Sequence, residues 1–296
     1  MTLAESLRQA QALGLARLDA QLLHLHALGR APDERAWLLA HDQDTLDAAC
    51  LARLQPLLAR RAAGEPLAYL TGHKGFYGLS LQVDARVLDP RPDTETLVDW
   101  ALALMPEQQP CEVLDMGTGS GAIALALQHM RPQARVSALD ASADALAVAR
   151  ANGERLGLPV RWLHSDWFSA VPERFDLIVS NPPYIREGDP HLPALRHEPT
   201  QALTSGADGL DAIRTLVAQA PQHLRPGGWL LLEHGWDRPK RCARCWRKRV
   251  DSRWARAATW RASSAAAARS GPEPGAGQGF ARQGIIAPID LHRSAP

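Results

Sequence analysis

The segment IVSNPPYI, residues 178–185, places an asparagine, two prolines and a tyrosine directly after an apolar run. Pro182 and Pro183 lack a backbone N–H and have a fixed φ, so a strand must end before them. A residue that precedes proline is held in extended backbone, which keeps Asn181 and Pro182 out of the helical region. We therefore predict two fixed acceptors side by side, the Asn181 side-chain oxygen and the Pro182 carbonyl oxygen. Such a pair matches the two hydrogens of a planar –NH2 group, and Tyr184 could pack on the plane of that group.

A glycine-rich turn, DMGTGSGAI at residues 115–123, is the second candidate site. Its three alternating glycines allow a tight turn into a helix and a close approach of a ligand to the backbone. Alone, this pattern is weak, because dinucleotide-binding domains use a related one and glycine turns also serve packing. Asp140 strengthens it, since a carboxylate 19 residues after Gly121, at the end of the next strand, can accept both ribose hydroxyls of a nucleoside. Capping of the following helix is the alternative role for Asp140, and Ser142 could cap that helix instead.

Asp166 and Trp167, in HSDWF, follow a third strand. Asp166 can accept from an exocyclic amine and Trp167 offers a flat face to a purine, although tryptophan is also a common packing residue. Together with the glycine turn and Asp140, these two residues favour an adenine nucleoside as the ligand. When the two acceptors for an –NH2 group at Asn181 and Pro182 are added, the set favours S-adenosylmethionine and methyl transfer to nitrogen. Such a transfer needs orientation, worth roughly 7–11 kcal/mol, more than it needs a strong base. Asp189 and His191 are therefore interpreted as loop residues.

These candidate residues must be positioned by a parallel sheet, because they follow successive strands separated by helices. Ligands of such sheets bind beyond the carboxyl ends of the strands, where all the candidates lie. An alternating order of strands and helices predicts an α/β fold with helices on both faces of the sheet. The five strand candidates are residues 112–117, 135–140, 160–166, 175–181 and 228–235, and the helical connections are residues 121–130, 142–157 and 209–224.

The segment before this sheet is predicted to be helical. Leu18, Leu22 and Leu25 recur at helical spacing, as do Leu51, Leu54 and Leu58, which predicts a small helical bundle over residues 1–72. Alternating apolar residues from Tyr77 to Val83 predict a short hairpin, and RPDTE at residues 91–95 predicts a helix start.

The chain resembles the release factor glutamine methyltransferases, the HemK/PrmC family. The resemblance covers roughly residues 1–237. NPPY alone is shared with amino-methylating DNA enzymes, whereas the YLTG…RPDTE linker is not. The blocks that carry the resemblance are EPLAYLTGHKGFYGLSLQVDARVLDPRPDTETLVDWAL, VLDMGTGSGAIALAL, SDWF, IVSNPPYI, DPHL, HEPTQAL and GGWLLLEHGW.

The resemblance implies a Rossmann-like class I S-adenosylmethionine-dependent methyltransferase domain at residues 91–237, of a type that has seven strands in the family. It also implies a helical domain at 1–72 that docks the release factor, and a β-hairpin linker at 73–90. The implied reaction is methylation of the glutamine amide nitrogen in the Gly-Gly-Gln motif of class-1 peptide chain release factors. Glu198 is expected to shape the same pocket. Carried over by motif, the cofactor-binding residues are Gly117, Thr118, Gly119, Ser120, Gly121, Asp140, Trp167 and Asn181, and the catalytic and substrate-binding residues are Asn181, Pro182, Pro183 and Tyr184.

Charge and composition help to rank the alternative functions of this chain. Residues 1–237 hold 20 Lys and Arg against 29 Asp and Glu, a net charge of −9. A duplex-binding enzyme normally carries a basic surface, so an adenine-N6 nucleic-acid methyltransferase is the second choice. A small-molecule methyltransferase and a cofactor-binding protein without catalysis follow it. Four cysteines, no signal-like N-terminus and no long apolar run lead us to expect a cytoplasmic protein with no membrane partner.

Residues 238–296 depart from the family pattern. They carry 13 Lys and Arg against 3 Asp and Glu, and between 238 and 279 only Val250 is Val, Ile, Leu, Met or Phe. We expect this basic tail to be disordered or translated out of frame, to lack the family's last β-hairpin, and so to leave the fifth strand as an unpaired edge. No metal is expected, because Cys242 and Cys245 lack a second pair of ligands nearby.

Overall fold

The computed structural model describes residues 1–235 and 283–286 of the 296-residue chain. The chain divides into two compact units, one of residues 1–74 with 83–85 and the other of residues 75–82 with those from 86 onward. Predictions that concern the rest of the basic tail, including Cys242 and Cys245, fall outside the described residues. No helix in the described ranges combines the length and apolar character needed to cross a membrane.

The first unit is helical, as the leucine spacing predicts. Thr2 and Glu5 form a capping box at the start of the first helix, and Asp47 caps the fourth. Leu25, Leu54 and Leu58 are buried in the unit's core. The helices are α1 Leu3–Ala12, α2 Arg17–Ala27, α3 Arg35–Ala40, α4 Ala48–Ala62 and α5 Leu67–Thr71.

Leu18 is an exception to the predicted stripe. Its side chain is 47% exposed, because the buried face of α2 is centred on Ala20, Leu23 and Ala27 instead. That face includes a polar residue, His24, which is fully buried. The His24 Nδ1 lies 2.7 Å from the Ala20 carbonyl oxygen and Nε2 lies 2.8 Å from the Ser6 hydroxyl oxygen. Since a carbonyl only accepts, Nδ1 carries the proton and the Ser6 hydroxyl donates to Nε2.

We expect His24 to make the first unit sensitive to acid. Burial lowers the pKa of His24 below its ordinary value of 6.5. The unfolded chain therefore binds a proton more readily, so the stabilising effect is present above pH 6.5 and is lost as pH falls, by up to about 1.4 kcal/mol per pH unit. Calorimetric melting of the whole chain between pH 5 and 7.5 measures this loss, and His24→Gln should reduce it. The exposed His26→Gln is the matched control; equal pH dependence in all three proteins would contradict the assignment.

A two-stranded sheet follows the helical segment, formed by β1 His73–Phe76 and β2 Leu79–Gln82. Tyr77, in the turn, has a φ of 48°. Its backbone N–H donates to Glu95 Oε1 at 2.8 Å and its hydroxyl donates to Asp99 Oδ1 at 2.7 Å. These two bonds attach the turn to the following helix and hold Tyr77 in a conformation unusual for a side-chain-bearing residue.

The second unit is built on a six-stranded sheet in the order β5–β4–β3–β6–β7–β8. The pairs from β5 to β7 are all parallel, which confirms the α/β fold with a central parallel sheet. Five of these strands, β3 to β7, lie within residues 91–237, where the sequence predicts five, and β8 comes from the tail. The strands are β3 Glu112–Met116, β4 Arg135–Asp140, β5 Arg161–His164, β6 Phe175–Ser180, β7 Leu224–Gly235 and β8 Gln283–Ile286.

The prediction that the fifth strand of this sheet is an unpaired edge is wrong for the last four residues of β7. Residues 232–235 of β7 pair with β8 in antiparallel register, from Leu232 with Ile286 to Gly235 with Gln283. The prediction rested on the absence of apolar residues between 238 and 279, and the pairing segment, QGII, lies just beyond that range. Strand pairing is a non-local property, so a short segment in an otherwise atypical tail can pair with part of this edge.

Helices connect the parallel strands as predicted. Ser142 caps α8 by accepting from the Ala145 N–H, and Gly157 ends that helix with a φ of 64°. Leu114, Ile178 and Leu232 of three strands share one buried cluster with apolar residues of α9. The helices of this unit are α6 Glu95–Leu104, preceded by a 3-10 turn at Pro92–Thr94, α7 Ala122–Met130, α8 Ala143–Leu156 and α9 Asp211–His223.

Candidate active site

The glycine turn after β3 adopts the conformation that its sequence requires. Gly117, Gly119 and Gly121 have φ values of 70°, 56° and 84°, in the left-handed region that favours glycine. A Cβ added at Gly117 or Gly119 would meet nothing within 4 Å, so space next to the backbone is open there. At Gly121 an added Cβ would lie 3.0 Å from Leu125, which shows that this glycine serves the packing of α7. The two open glycines leave room for a ligand against the turn.

The buried carboxylate of Asp115 holds the glycine turn through hydrogen bonds. Asp115 is fully buried, and its Oδ2 accepts from the Thr118 hydroxyl at 2.6 Å and from the Ala124 N–H at 3.2 Å. Its Oδ1 has no hydrogen-bond partner among the described residues. Burial raises the pKa of Asp115 to about 7, against the lowering effect of these two donors. The residue therefore connects the end of β3 to both ends of the turn.

Asp140 lies beside the turn, as the spacing predicts. Its Oδ2 accepts from the Gly119 N–H and its Oδ1 from the Ser142 N–H, both at 2.9 Å. Ser142, rather than Asp140, provides the side-chain cap of α8. Each carboxylate oxygen keeps a further lone pair, so Asp140 could also accept hydroxyl groups from a nucleoside. The helix-capping alternative for Asp140 is thereby set aside in favour of Ser142.

Trp167 is half-buried beyond the end of β5 and has a φ of 47°, a strained value for a large side chain. The Ser165 hydroxyl donates to the Trp167 carbonyl oxygen at 2.7 Å and so holds this backbone. Trp167 packs against the core cluster that α9 shares with the sheet, and it borders a cavity of about 540 Å³. That cavity is lined by Asp166, Trp167, Phe168, Ser169, Thr215, Gln219, Gln222 and His223. The α9 side of this cavity carried no motif in the sequence.

The loop after β6 is held in place by backbone pairing. Ile185 forms a bridge with Thr204, through the Ile185 N–H to the Leu203 carbonyl at 2.8 Å and the Ser205 N–H to the Ile185 carbonyl at 2.9 Å. The Glu187 N–H extends this contact to the Gly206 carbonyl at 3.0 Å. Residues 181–184 are thus anchored at both ends, by β6 on one side and by this bridge on the other. Local proline stiffness is reinforced by a contact that the motif did not reveal.

Neither predicted acceptor oxygen of this loop is used by another hydrogen bond in the described residues. The Asn181 side chain is half-buried, and its Nδ2 donates to the Thr94 hydroxyl oxygen at 3.1 Å. Its Oδ1 accepts none of the hydrogen bonds found in the described part of the chain, and the same holds for the Pro182 carbonyl oxygen. Tyr184 is half-buried and packs against the core cluster. The arrangement leaves two carbonyl-type oxygens of adjacent residues to accept from an incoming group.

Two motifs distant in sequence meet near this loop. The Arg91 guanidinium of RPDTE donates to Glu198 Oε1 of HEPTQAL at 2.5 Å, and Glu198 Oε2 accepts from the Asp89 N–H at 3.3 Å. Burial would lower the pKa of Arg91, but the charge and hydrogen bond of Glu198 outweigh it and raise that pKa. Tyr184 also acts electrostatically on Arg91. The expectation that Glu198 shapes the pocket stays a prediction, and this ion pair is its structural basis.

Sequence reasoning missed two residues of this region, Thr94 and Glu233. Thr94 is buried and contacts Asn181 directly. Glu233 is buried at the end of β7, with 1% of its surface exposed. A charged residue after the apolar run WLLL was a usable signal for Glu233, because a buried strand rarely carries an unpaired carboxylate. No signal in the sequence paired Thr94 with Asn181, 87 residues later.

The residues of the glycine turn fit S-adenosylmethionine. Open space beside Gly117 and Gly119 admits the ligand, and the Asp140 carboxylate can accept the two ribose hydroxyls. Trp167 follows β5, which is next to β4 in the sheet, and offers a flat face. Asn181 follows β6, which is next to β3 on the other side. In the described residues, no group of three or more His, Cys, Asp or Glu side chains is arranged to hold a metal ion.

Comparisons with known proteins identify the family of this chain. The family model described as "Methyltransferase small domain" matches residues 95–234, and the model described as "PrmC N-terminal domain" matches residues 2–72. A release factor glutamine methyltransferase of Xylella fastidiosa (strain Temecula1) is 53% identical over 225 residues, which are 75% of this chain and 81% of that protein. One from Escherichia coli (strain K12) is 46% identical over 239 residues, 79% of this chain and 85% of that protein.

A solved structure supports the fold alone. A methyltransferase from Pyrococcus furiosus superposes with a TM-score of 0.51 at 19% identity, over 78% of this chain and 97% of that one. The fold, the cofactor class and the two matched domains are consistent with one another. The chain is a methyltransferase enzyme that uses S-adenosylmethionine, and it belongs to the release factor glutamine methyltransferase family.

Proposed function

We propose that this enzyme methylates the side-chain amide nitrogen of the glutamine in the Gly-Gly-Gln motif of class-1 peptide chain release factors. The observation that carries the proposal is the pair of available acceptors, Asn181 Oδ1 and the Pro182 carbonyl oxygen, in a loop anchored at both ends. A primary carboxamide has two N–H donors, which such a pair can accept. The similar proteins of Xylella fastidiosa and Escherichia coli, both release factor glutamine methyltransferases, support the same substrate class.

The cofactor-binding residues have separate roles in this proposal. Gly117 to Gly121 let the ligand approach the backbone, and Thr118 and Ser120 hold the shape of the turn through their hydrogen bonds. Asp140 binds the ribose, and Trp167 packs against the adenine. When bound, S-adenosylmethionine supplies an electrophilic methyl group attached to a positively charged sulfur.

The loop residues orient the acceptor nitrogen. Asn181 and Pro182 accept its two hydrogens and so fix the nitrogen lone pair toward the methyl donor, while Tyr184 and Pro183 pack on the carboxamide plane. Orientation of reacting atoms contributes roughly 7–11 kcal/mol, which compensates for the weak nucleophilicity of an amide nitrogen. The two oxygens also stabilise positive charge that develops on the nitrogen. The nitrogen gains the methyl group as the methyl–sulfur bond breaks, which leaves an uncharged thioether, and the nitrogen then loses one proton to solvent, so no strong base is needed.

We also propose that residues 1–72 dock the release factor. They match the PrmC N-terminal domain, and none of the proposed cofactor residues comes from them. Exposed leucines in this unit, Leu13, Leu18 and Leu39, offer apolar surface for a protein partner. A substrate of the translation machinery also supports the expected cytoplasmic location. Residues 73–90 then form the linker and residues 91–237 the methyltransferase domain.

Isotope-labelled S-adenosylmethionine and purified release factor test this function. After incubation with the full chain, peptide mass spectrometry should find one labelled methyl group on the side chain of the Gly-Gly-Gln glutamine. A release factor with that glutamine replaced by alanine should receive none. Duplex DNA is the second control, because the NPPY loop could also hold the amino group of adenine. Labelled N6-methyladenine without labelled glutamine would overturn the proposal in favour of the nucleic-acid alternative.

A further inference from the structure

Glu233 is a buried carboxylate beside the acceptor loop to which the proposed mechanism gives no role. Leu232 pairs with Ser180 in the parallel register of β6 and β7, so Glu233 lies one residue beyond this pair, next to Asn181. Paired residues of parallel strands project to the same face of a sheet. Glu233 and Asn181 therefore lie side by side on the face opposite to Ser180 and Leu232, at the edge where the site lies.

Thr94 completes this group. It is 4% exposed, and its hydroxyl oxygen accepts from Asn181 Nδ2 at 3.1 Å. A hydroxyl that accepts one hydrogen bond still has its own proton to donate. Neither Glu233 oxygen forms a complete hydrogen bond in the described structure, yet the Thr94 hydroxyl and the Asn181 amide are both close enough to favour its charged form. A buried carboxylate without a full partner is costly to keep, which argues for a function.

The orientation of the Asn181 carboxamide is the property that this group can control. The carboxamide can turn by 180° and exchange its oxygen and nitrogen with little change in shape. In one orientation Oδ1 is available to the acceptor; in the other Nδ2 would meet the acceptor's own N–H groups and repel them. Two acceptors on the interior side, the Thr94 oxygen and the Glu233 carboxylate, both favour Nδ2 on that side.

We propose that Glu233 is a positioning residue, which acts with the Thr94 hydroxyl to hold Asn181 with Nδ2 toward the interior and Oδ1 toward the substrate amide. The inference rests on the proposed function for the identity of that substrate, but the orientation of Asn181 is a property of the protein alone. The charged form of Glu233 is the active one, because a protonated carboxyl is itself a donor on the side where acceptors are needed.

The surroundings of Glu233 give it a pKa near neutral pH. Burial raises the pKa of Glu233 to about 7, and Asp93 acts in the same direction, whereas Thr94, Asn181 and Arg91 lower it. Within the described part of the chain, the charged groups that act on it are Asp93 and Arg91, both from the segment before α6. Since the charged form holds Asn181 correctly, methyl transfer should increase as pH rises through about 7.

The first test observes Asn181 directly and needs no substrate. The whole chain contains only two asparagines, Asn152 and Asn181, so selective ¹⁵N-asparagine labelling gives two side-chain NH2 signal pairs. We expect the Asn181 pair to shift with pH around a midpoint of about 7 and to stop shifting in Glu233→Gln. The Asn152 pair is the internal control, because its Nδ2 is bonded to the Gln82 and Ser120 carbonyls, which do not titrate. An Asn181 pair that does not titrate, or that titrates equally in Glu233→Gln, would overturn the inference.

The second test measures transfer. Glu233→Gln should lower kcat by about tenfold, because the uncharged side chain no longer holds Asn181 Nδ2 toward the interior; this is the low end of the range for one polar interaction with a charged group. The variant should also abolish the rise of kcat with pH and retain the affinity for S-adenosylmethionine. Thr94→Val should lower kcat similarly and Thr94→Ser should restore it, because serine keeps the hydroxyl. Ser137→Ala removes a buried hydroxyl from the middle of β4 and is the matched control.

The two tests separate the two proposals. If native protein transfers no methyl group to release factor, the proposed function fails, and the NMR titration still decides the role of Glu233. If transfer occurs but Glu233→Gln retains native kcat and its pH profile, the positioning role fails while the proposed function stands. Should Glu233→Gln fail to fold, the Thr94→Val and Thr94→Ser pair carries both readouts.

Discussion

Asn181→Ala should lower kcat for release factor methylation by about 10²- to 10³-fold, the range found when one preorganised polar contact to a developing charge is removed. The variant deletes the Oδ1 acceptor, so of the proposed acceptor pair the Pro182 carbonyl oxygen alone remains to bind the substrate nitrogen. The nitrogen can then rotate about its remaining hydrogen bond, so the orientation term is lost together with the electrostatic one. Affinity for S-adenosylmethionine should change much less, because most of the proposed cofactor contacts come from the glycine turn after β3 and from Asp140 at the end of β4, which the substitution leaves intact.

Single-turnover kinetics and titration calorimetry separate these two quantities. Asp189→Ala is the control, because among the described residues the Asp189 side chain bonds only within its own loop, to His191 and Arg186. If Asp189 were the general base, its loss would lower kcat as much as that of Asn181. A native kcat in Asn181→Ala would show that the acceptor pair does not hold the reacting nitrogen.

Asp140→Ala should weaken the binding of S-adenosylmethionine by about 10- to 100-fold, since one or two hydrogen bonds to a charged group contribute roughly 1.5–3 kcal/mol. The variant removes the proposed ribose acceptor and also frees the Gly119 and Ser142 N–H groups, which the carboxylate now holds at 2.9 Å. Both effects act on the cofactor side of the site. At saturating cofactor, kcat should therefore recover most of its native value.

Calorimetric titration with S-adenosylmethionine measures the change. Asp144→Ala is the matched control, because Asp144 is an exposed acid in the first turn of the same helix that follows Asp140. A dissociation constant close to native in Asp140→Ala would refute the ribose role. It would leave Asp140 as a residue that only connects the glycine turn to α8.

Local sequence patterns were sufficient to predict the parallel sheet and the positions of the glycine turn, Asp140 and the NPPY loop. Each of these depends on interactions within a few residues: alternation of apolar side chains, the φ values open to glycine, and the backbone restriction before proline. The strands found at 112–116, 135–140 and 175–180 differ from the predicted bounds by one residue at most. Because these patterns depend on neighbouring residues only, they can be interpreted without knowledge of the rest of the fold.

Tertiary structure decided which distant residues meet at the site. Thr94, Asn181 and Glu233 come together only because β6 and β7 pair in parallel register and the segment before α6 lies over them. The Arg91–Glu198 ion pair joins residues 107 apart in the chain, and β8 reaches β7 from within the atypical tail. Contacts of this kind depend on register and on the packing of whole elements, and one sequence carries no direct record of either. The residue types that do the chemistry were therefore readable in the sequence, whereas the groups that hold them in position became visible only in the folded chain.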